Sequence, residues 1–156
     1  MAKFYIKSLG CKQNQLEGQI IQDELIKSGF LLVDDIKEAD IFILNSCTVT
    51  SHSDSGVNYL LSHSKKNNPN IKNILVGCCA QVGTVKSKNI DLALGNLEKL
   101  NILKYIDKNG EFIQDIFSCD KFKNKFLTNS YKTRMNIKIQ DGCNNRCSYC
   151  IIPFAR

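Results

Sequence analysis

Ile41-Phe42-Ile43-Leu44-Asn45-Ser46-Cys47 is a run of four apolar residues stopped by an amide, a hydroxyl and a thiol. A strand with one wet face alternates apolar and polar positions. An unbroken run bounded by turn signals instead predicts a parallel strand covered on both faces. Ile74-Leu75-Val76 followed by Gly77-Cys78 has the same form, as does Phe4-Tyr5-Ile6 leading to Leu9-Gly10-Cys11. Between these strands lie helical patterns. Asn14 is a plausible N-cap for a helix carrying Leu16, Ile20, Ile21, Leu25 and Ile26 and closed by Gly29, and residues 54–66 read as a second helix before the turn Asn67-Asn68-Pro69-Asn70.

The remaining elements continue the alternation. Phe30–Val33 reads as a strand, Ile36–Ala39 as one helical turn, Asp91–Gly95 as a fifth strand and Leu97–Ile106 as a helix stopped at Asn109-Gly110. Repeated βα units predict an α/β fold: an open, mostly parallel, flavodoxin-like sheet of order 2-1-3-4-5 with helices on both faces. Beyond Phe117 the pattern dissolves. Three units are expected: a domain over residues 1–117, a polar lysine-rich linker over 118–133, and new structure over 134–156 opened by a strand on Met135, Ile137 and Ile139.

Composition narrows the function classes. The chain has 156 residues, 43% of them apolar, enough for one continuous core and too few for two large domains. A net charge of +6 and a 23% charged fraction exclude both a disordered acidic tail and a histone-like polycation. Residues 1–110 hold 13 basic and 11 acidic groups and residues 111–156 hold 8 and 4, so two thirds of the net charge lies in the last 46 residues. That asymmetry fits either a polyanion near the linker or a solvated lysine-rich tether. Lysines interrupt the N-terminus before any apolar core of a leader could form, and no apolar stretch approaches the ~18 residues of a membrane span, so a cytoplasmic chain without membrane contact is expected.

Eight cysteines in such a chain point to ligation or reactivity, since cytosolic thiols are held reduced. Cys143, Cys147 and Cys150 form C-x3-C-x2-C on a loop after the expected new strand. Three close thiolates suit a soft metal centre, and no His follows His63, so a zinc site would have to borrow its fourth ligand from elsewhere. An iron-sulfur cluster on three cysteines leaves one iron open to a small ligand. Cys11, Cys47 and Cys78 form a second group, 36 and 31 residues apart and each just past the carboxyl end of a strand. The loops at that edge of an open α/β sheet line one crevice, where strands 1 and 3 flank the switch point. Gly10 and Gly77 would let the backbone approach a bulky ligand, and three unrelated buried thiols are the plain alternative. Cys79 is expected to pack on the sheet, Cys119 to be an ordinary thiol, His52 and His63 to be non-catalytic, and Ser46 and Thr48 to cap the following helix or donate to cluster sulfurs.

Ser8-Leu9-Gly10-Cys11-Lys12-Gln13-Asn14-Gln15, Asn45-Ser46-Cys47-Thr48-Val49-Thr50, Val76-Gly77-Cys78-Cys79-Ala80-Gln81 and Leu94-Gly95-Asn96, together with the C-x3-C-x2-C loop, resemble the methylthiotransferase family of radical S-adenosylmethionine enzymes. The resemblance implies two 4Fe-4S clusters, an auxiliary one on Cys11, Cys47 and Cys78 and a radical-generating one on Cys143, Cys147 and Cys150. It implies S-adenosylmethionine as cofactor, with Tyr149 against its adenine or else packed on the cluster shell, and a flavodoxin or ferredoxin as reductant. The implied reaction turns a C-H bond into C-S-CH3. Lys138-Ile139-Gln140-Asp141-Gly142-Cys143 and Cys150-Ile151-Ile152-Pro153-Phe154-Ala155-Arg156 resemble most the branch that methylthiolates C2 of N6-threonylcarbamoyladenosine at position 37 of tRNA. Residues 54–57 depart from the basic pattern usual there, and the branches acting on isopentenyladenosine or on a ribosomal-protein aspartate share the cysteines. Members of the family continue through a partial βα barrel and an RNA-binding module. The chain is therefore expected to be an N-terminal fragment that can hold the auxiliary cluster but not turn over. A different class is a non-catalytic zinc or iron-sulfur module contacting RNA through Lys121, Lys123, Lys125, Lys132 and Arg134.

Overall fold

The computed structural model describes residues 1–48, 51–118, 125 and 136–156, with the side chains of 51–54 left aside. Six strands form one sheet: β1 (Lys3–Ser8), β2 (Leu31–Leu32), β3 (Ile41–Ser46), β4 (Lys72–Gly77), β5 (Leu92–Leu94) and β6 (Gly110–Phe112). Their order is β2-β1-β3-β4-β5-β6, and every neighbouring pair is parallel. The helices are α1 (Lys12–Lys27), α2 (Ser51–Asn67), the short α3 (Cys78–Val82) and the single turn α4 (Ile152–Ala155).

The unbroken apolar runs are covered on both faces, as their composition demands. Ile41 and Ile43 of β3 join Ile74 and Val76 of β4 and Ile21 and Leu25 of α1 in one core layer. Phe42 and Leu44 point the other way, onto Leu75, Val57 and Leu61. Fully burying such a side chain contributes roughly 1.5–3 kcal/mol, so the two layers supply the drive that holds α1 and α2 on opposite faces. The fold is the doubly wound α/β sheet expected.

Several local expectations are corrected. Cys11, not Asn14, occupies the N-cap of α1, and Asn14 lies buried inside the helix. The helix expected over Leu97–Ile106 is a pair of 3-10 turns over Lys99–Lys104, broken where Asn101 leaves helical geometry (φ −118°, ψ 37°). Asn109-Gly110 does not merely stop a helix; it opens β6, which pairs with β5 in the register Leu92↔Gly110 to Leu94↔Phe112. A strand with one apolar residue in three gives no readable alternation.

Residues 136–140 form no strand. Their alternation is real but inverted: Ile137 and Ile139 are 70% and 89% exposed, whereas Lys138 is buried. A barrel strand needs a neighbour to satisfy its backbone, and here the buried side of the segment is instead chosen by an ion pair. Met135, Cys119, Lys121, Lys123, Lys132 and Arg134, and with them most of the expected linker, lie outside the described residues.

Candidate metal centre at the carboxyl edge of the sheet

The register places two of the first three cysteines side by side. Ser46 of β3 pairs with Gly77 of β4, and Cys47 and Cys78 are the next residues along each strand. On the other flank Ser8 pairs with Asn45, and the Leu9 N–H still donates to the Asn45 carbonyl at 2.8 Å, so the β1 strand delivers Gly10 and Cys11 to the same edge. Gly10 lies against Cys47: a Cβ built on Gly10 would stand 2.3 Å from Cys47 Cβ and 2.9 Å from its Sγ. Gly10 and Gly77 have φ of +97° and +99°, the region where glycine avoids the Cβ penalty. A Cβ on Gly77 would meet the Ser46 carbonyl oxygen at 2.6 Å.

Cys11 is exposed, while Cys47 and Cys78 are buried, and all three are free thiols. Asn96, from the Leu94-Gly95-Asn96 stretch, directs its Nδ2 at Cys78 Sγ at 3.6 Å, while its backbone N–H donates to Gln81 Oε1 at 2.8 Å. The same Nδ2 also donates to the Ala155 carbonyl of α4, and Asn96 Oδ1 is buried with no partner among the described residues. Among the described residues no group of three or more His, Cys, Asp or Glu converges as a site for a metal ion. Thiolates that bind a four-iron cluster sit at its separate corners rather than around one ion. The donor set fits such a group, and Gly10 and Gly77 let the strand ends that carry it pack closely together.

The second group lies on the loop between residues 142 and 151. Cys147 is exposed, Cys143 and Cys150 are half-buried, and the Cys150 N–H donates to the Cys147 carbonyl at 3.0 Å. Tyr149 is 89% exposed. Arg146 places its guanidinium 5.1 Å over the ring of Phe117, which meets Phe154 edge-on at 6.0 Å.

A buried ion network joins this loop to the sheet, and neither composition nor spacing pointed to it. Glu17 of α1 receives Lys99 at 2.5 Å, Lys138 at 2.9 Å and Arg156 at 2.8 Å. Asp141 accepts from Arg156 at 2.9 Å, from Gln13 at 2.8 Å and from Lys138. Asn14 Oδ1 accepts from Arg156 at 3.0 Å, while Asn14 Nδ2 donates to the Leu9 and Ser46 carbonyls at 2.9 and 2.8 Å. Burial by itself raises the Glu17 carboxyl, but Lys99, Arg156 and Lys138 overcome that and hold it well below the usual range. Burial pushes the Lys99 ammonium down against the pull of Glu17, which it must share with Arg156. Burial also opposes the charge on Arg156, yet its bonds to Glu17 leave it more firmly protonated than in water. A lone acidic residue at 17 and lysines at 99 and 138 carry no mutual signal in sequence; only the fold brings them together.

The other expectations are quickly placed. Cys79 is buried in the α2-side core layer, with Sγ 3.2 Å from Thr84 Oγ1. Ser46 does not cap α2; its hydroxyl donates to the Val76 carbonyl at 3.1 Å and ties β3 to β4. Thr48 Oγ1 has no hydrogen-bond partner among the described residues. His63 is exposed and stacked on Tyr59 at 5.7 Å, and the His52 side chain lies outside the described residues. Lys125, one of the lysines named for RNA contact in the alternative class, pairs with Glu24 at 2.7 Å.

An open parallel α/β sheet with three thiols just past its strand ends, followed along the chain by a C-x3-C-x2-C loop, is the arrangement of the N-terminal domain of the methylthiotransferase family. The chain belongs to the family described as uncharacterized protein family UPF0004, whose pattern matches residues 3–95. It is 32% identical to the threonylcarbamoyladenosine tRNA methylthiotransferase MtaB of Aquifex aeolicus over 99% of the chain and 40% of that protein. It is 36% identical to the protein of the same name from Thermotoga maritima, over 97% of the chain and 36% of the relative. The tRNA-2-methylthio-N(6)-dimethylallyladenosine synthase of Karelsulcia muelleri is 30% identical over 99% of the chain and 36% of its own length. The chain thus spans between 36% and 40% of these relatives. Among the described residues no helix is long and apolar enough to cross a membrane.

Proposed function

We propose that the chain is the cluster-holding part of a cytoplasmic enzyme that methylthiolates C2 of N6-threonylcarbamoyladenosine at position 37 of tRNA. The observation that carries this reading is the cysteine edge: Gly10 packed on Cys47, and Cys47 and Cys78 following paired residues of β3 and β4. Cys11, Cys47 and Cys78 would hold an auxiliary 4Fe-4S cluster, and Cys143, Cys147 and Cys150 a second one that binds S-adenosylmethionine, with Tyr149 free to lie against its adenine. When bound, these groups supply an open iron for a sulfur donor and the electron that cleaves the sulfonium to a carbon radical.

The chain's own residues do the remaining work. An unactivated C-H bond resists acids, bases and nucleophiles at neutral pH, so the protein's part is to hold sulfur and carbon within reach of one another. Gly10 and Gly77 let the strand ends pack closely at this edge, where a Cβ would overlap Cys47 or the Ser46 carbonyl. Asn96 donates towards Cys78 Sγ. A reductant such as a flavodoxin or ferredoxin would deliver electrons, and tRNA would approach from outside the described residues of this chain. The 156 residues by themselves are expected to hold the auxiliary cluster without turnover.

The test is mass spectrometry of tRNA nucleosides from cells lacking the protein that carries this chain. Loss of the methylthio group from threonylcarbamoyladenosine is the expected result. Its retention, with loss instead from isopentenyladenosine or from a ribosomal-protein aspartate, transfers the activity to another branch. Anaerobic reconstitution separates the zinc-module alternative: about eight irons with matching sulfide favour the enzyme, and zinc without sulfide favours the module.

A further inference from the structure

The two stems of the Cys143–Cys150 loop meet at one buried carboxylate. Lys138 and Asp141 precede the loop, Arg156 follows it, and Lys138 and Arg156 both bond to Glu17. The stems also touch one another: a Cβ on Gly142 would stand 2.7 Å from the Arg156 carbonyl oxygen. Glu17 is almost fully buried, as are the side chains of Lys99, Lys138 and Arg156. Its helix starts at Cys11, and Asn14, one turn earlier on that helix, links Arg156 to the carbonyls of Leu9 and Ser46 beside Cys11 and Cys47. The same end of α4 is held again by Asn96, which donates to the Ala155 carbonyl next to Arg156 and also faces Cys78.

Such an arrangement is a poor way to gain stability. Removing several charges from water costs about as much as their attraction returns, and apolar residues of equal volume often serve a core better. What an ion network supplies is register, because a single carboxylate with three cations around it accepts only one arrangement of the elements that bring them. Among the described residues, every cation on Glu17 apart from Lys99 comes from the loop stems.

We propose that Glu17 is a positioning residue: it clamps the base of the Cys143–Cys150 loop and seats it on the carboxyl edge of the sheet, so that the two groups of cysteines face each other at a fixed spacing. The purpose of that spacing rests on the function proposed above, whereas the clamp itself is a property of the chain.

The 156-residue chain is compared as wild type, Glu17→Gln and Arg156→Gln, the latter chosen because it changes no residue of α1 or the sheet. Hydrogen exchange followed by mass spectrometry should show peptides from 136–156 exchanging at least tenfold faster in either variant. Peptides from β3 and β4 should keep their wild-type rates, and the double variant should add nothing to the faster single one, as expected for groups acting through one contact. Wild-type rates over 136–156 in Arg156→Gln overturn the proposal, and so does acceleration spread equally into β3 and β4, which is the mark of a merely stabilising network. After anaerobic reconstitution, pulsed electron paramagnetic resonance should give a narrow inter-cluster distance distribution in wild type and a broad one in both variants at unchanged iron content. Equal widths overturn the clamp. If the wild-type chain takes up no iron and sulfide, the cysteine assignment fails instead, and the exchange rates still decide the role of Glu17.

Discussion

Replacing Gly10 by alanine tests the cysteine edge at its tightest point. The added Cβ would stand 2.3 Å from Cys47 Cβ, where ordinary contact begins at 3.4 Å. Cys47 Cβ is anchored to the backbone and cannot rotate aside, so one of the two loops must retreat by about 1 Å, a repacking that costs roughly 1–3 kcal/mol. The φ of +97° adds roughly 1–2 kcal/mol for any residue with a Cβ. Gly29 provides the control, because its φ is +88° and nothing lies within 4 Å of a Cβ built there. Gly29→Ala should therefore lose only the backbone share. For a domain of this size, about 1 kcal/mol lowers Tm by several degrees, so Gly10→Ala should melt roughly 10 °C or more below wild type and well below Gly29→Ala. Anaerobic reconstitution supplies the second reading: iron bound per chain should fall in Gly10→Ala and hold in Gly29→Ala. Equal melting temperatures and equal iron in the two variants would show that Gly10 and Cys47 do not share a crowded edge.

Other perturbations bear on the same site. Asn96→Ala removes the donor aimed at Cys78 Sγ, and since donation to sulfur favours the reduced state, the midpoint potential of the N-terminal cluster should fall in a redox titration. Cys78→Ser should roughly halve the iron taken up while leaving the spectrum of the C-x3-C-x2-C cluster in place, and loss of both signals would contradict two separate ligand groups. Glu17 sets an acid limit. Its folded pKa lies below the unfolded value of about 4.3, so its contribution is complete above that value and is lost as pH falls beneath it. Denaturant midpoints measured between neutrality and pH 3 should therefore decline for wild type below about pH 4.3, and less steeply for Glu17→Gln.

What could be read from the sequence was whatever repeats locally. The apolar runs of β1, β3 and β4 state their burial by composition, and the residue after each run is where a parallel sheet puts its binding loops, so Cys47 and Cys78 were legible from strand ends alone. Cys11 was legible as a position but not as an N-cap, because a thiol is a weak capping group and Asn14 is a good one. The structure spends Asn14 on something local patterns cannot express, a link between two strand ends and Arg156. Lys138 shows the same limit more sharply. An alternating Met-Asn-Ile-Lys-Ile segment predicts isoleucines inward, yet the charge at 138 goes inward because Glu17 is waiting 121 positions earlier. β6 was missed for want of apolar residues, and it exists because β5 offers an unfilled row of backbone groups.

The two margins of the sheet are brief: β2 contributes two residues and β6 three. Short margins offer another polypeptide little backbone to zip onto, which protects a wide parallel sheet from growing sideways into aggregates. Away from the sheet, Ile137 and Ile139, turned outward by the burial of Lys138, are among the most exposed large apolar side chains of the described residues. Polar replacements at those two positions should improve the solubility of the 156-residue piece at high concentration without disturbing the cysteine edge.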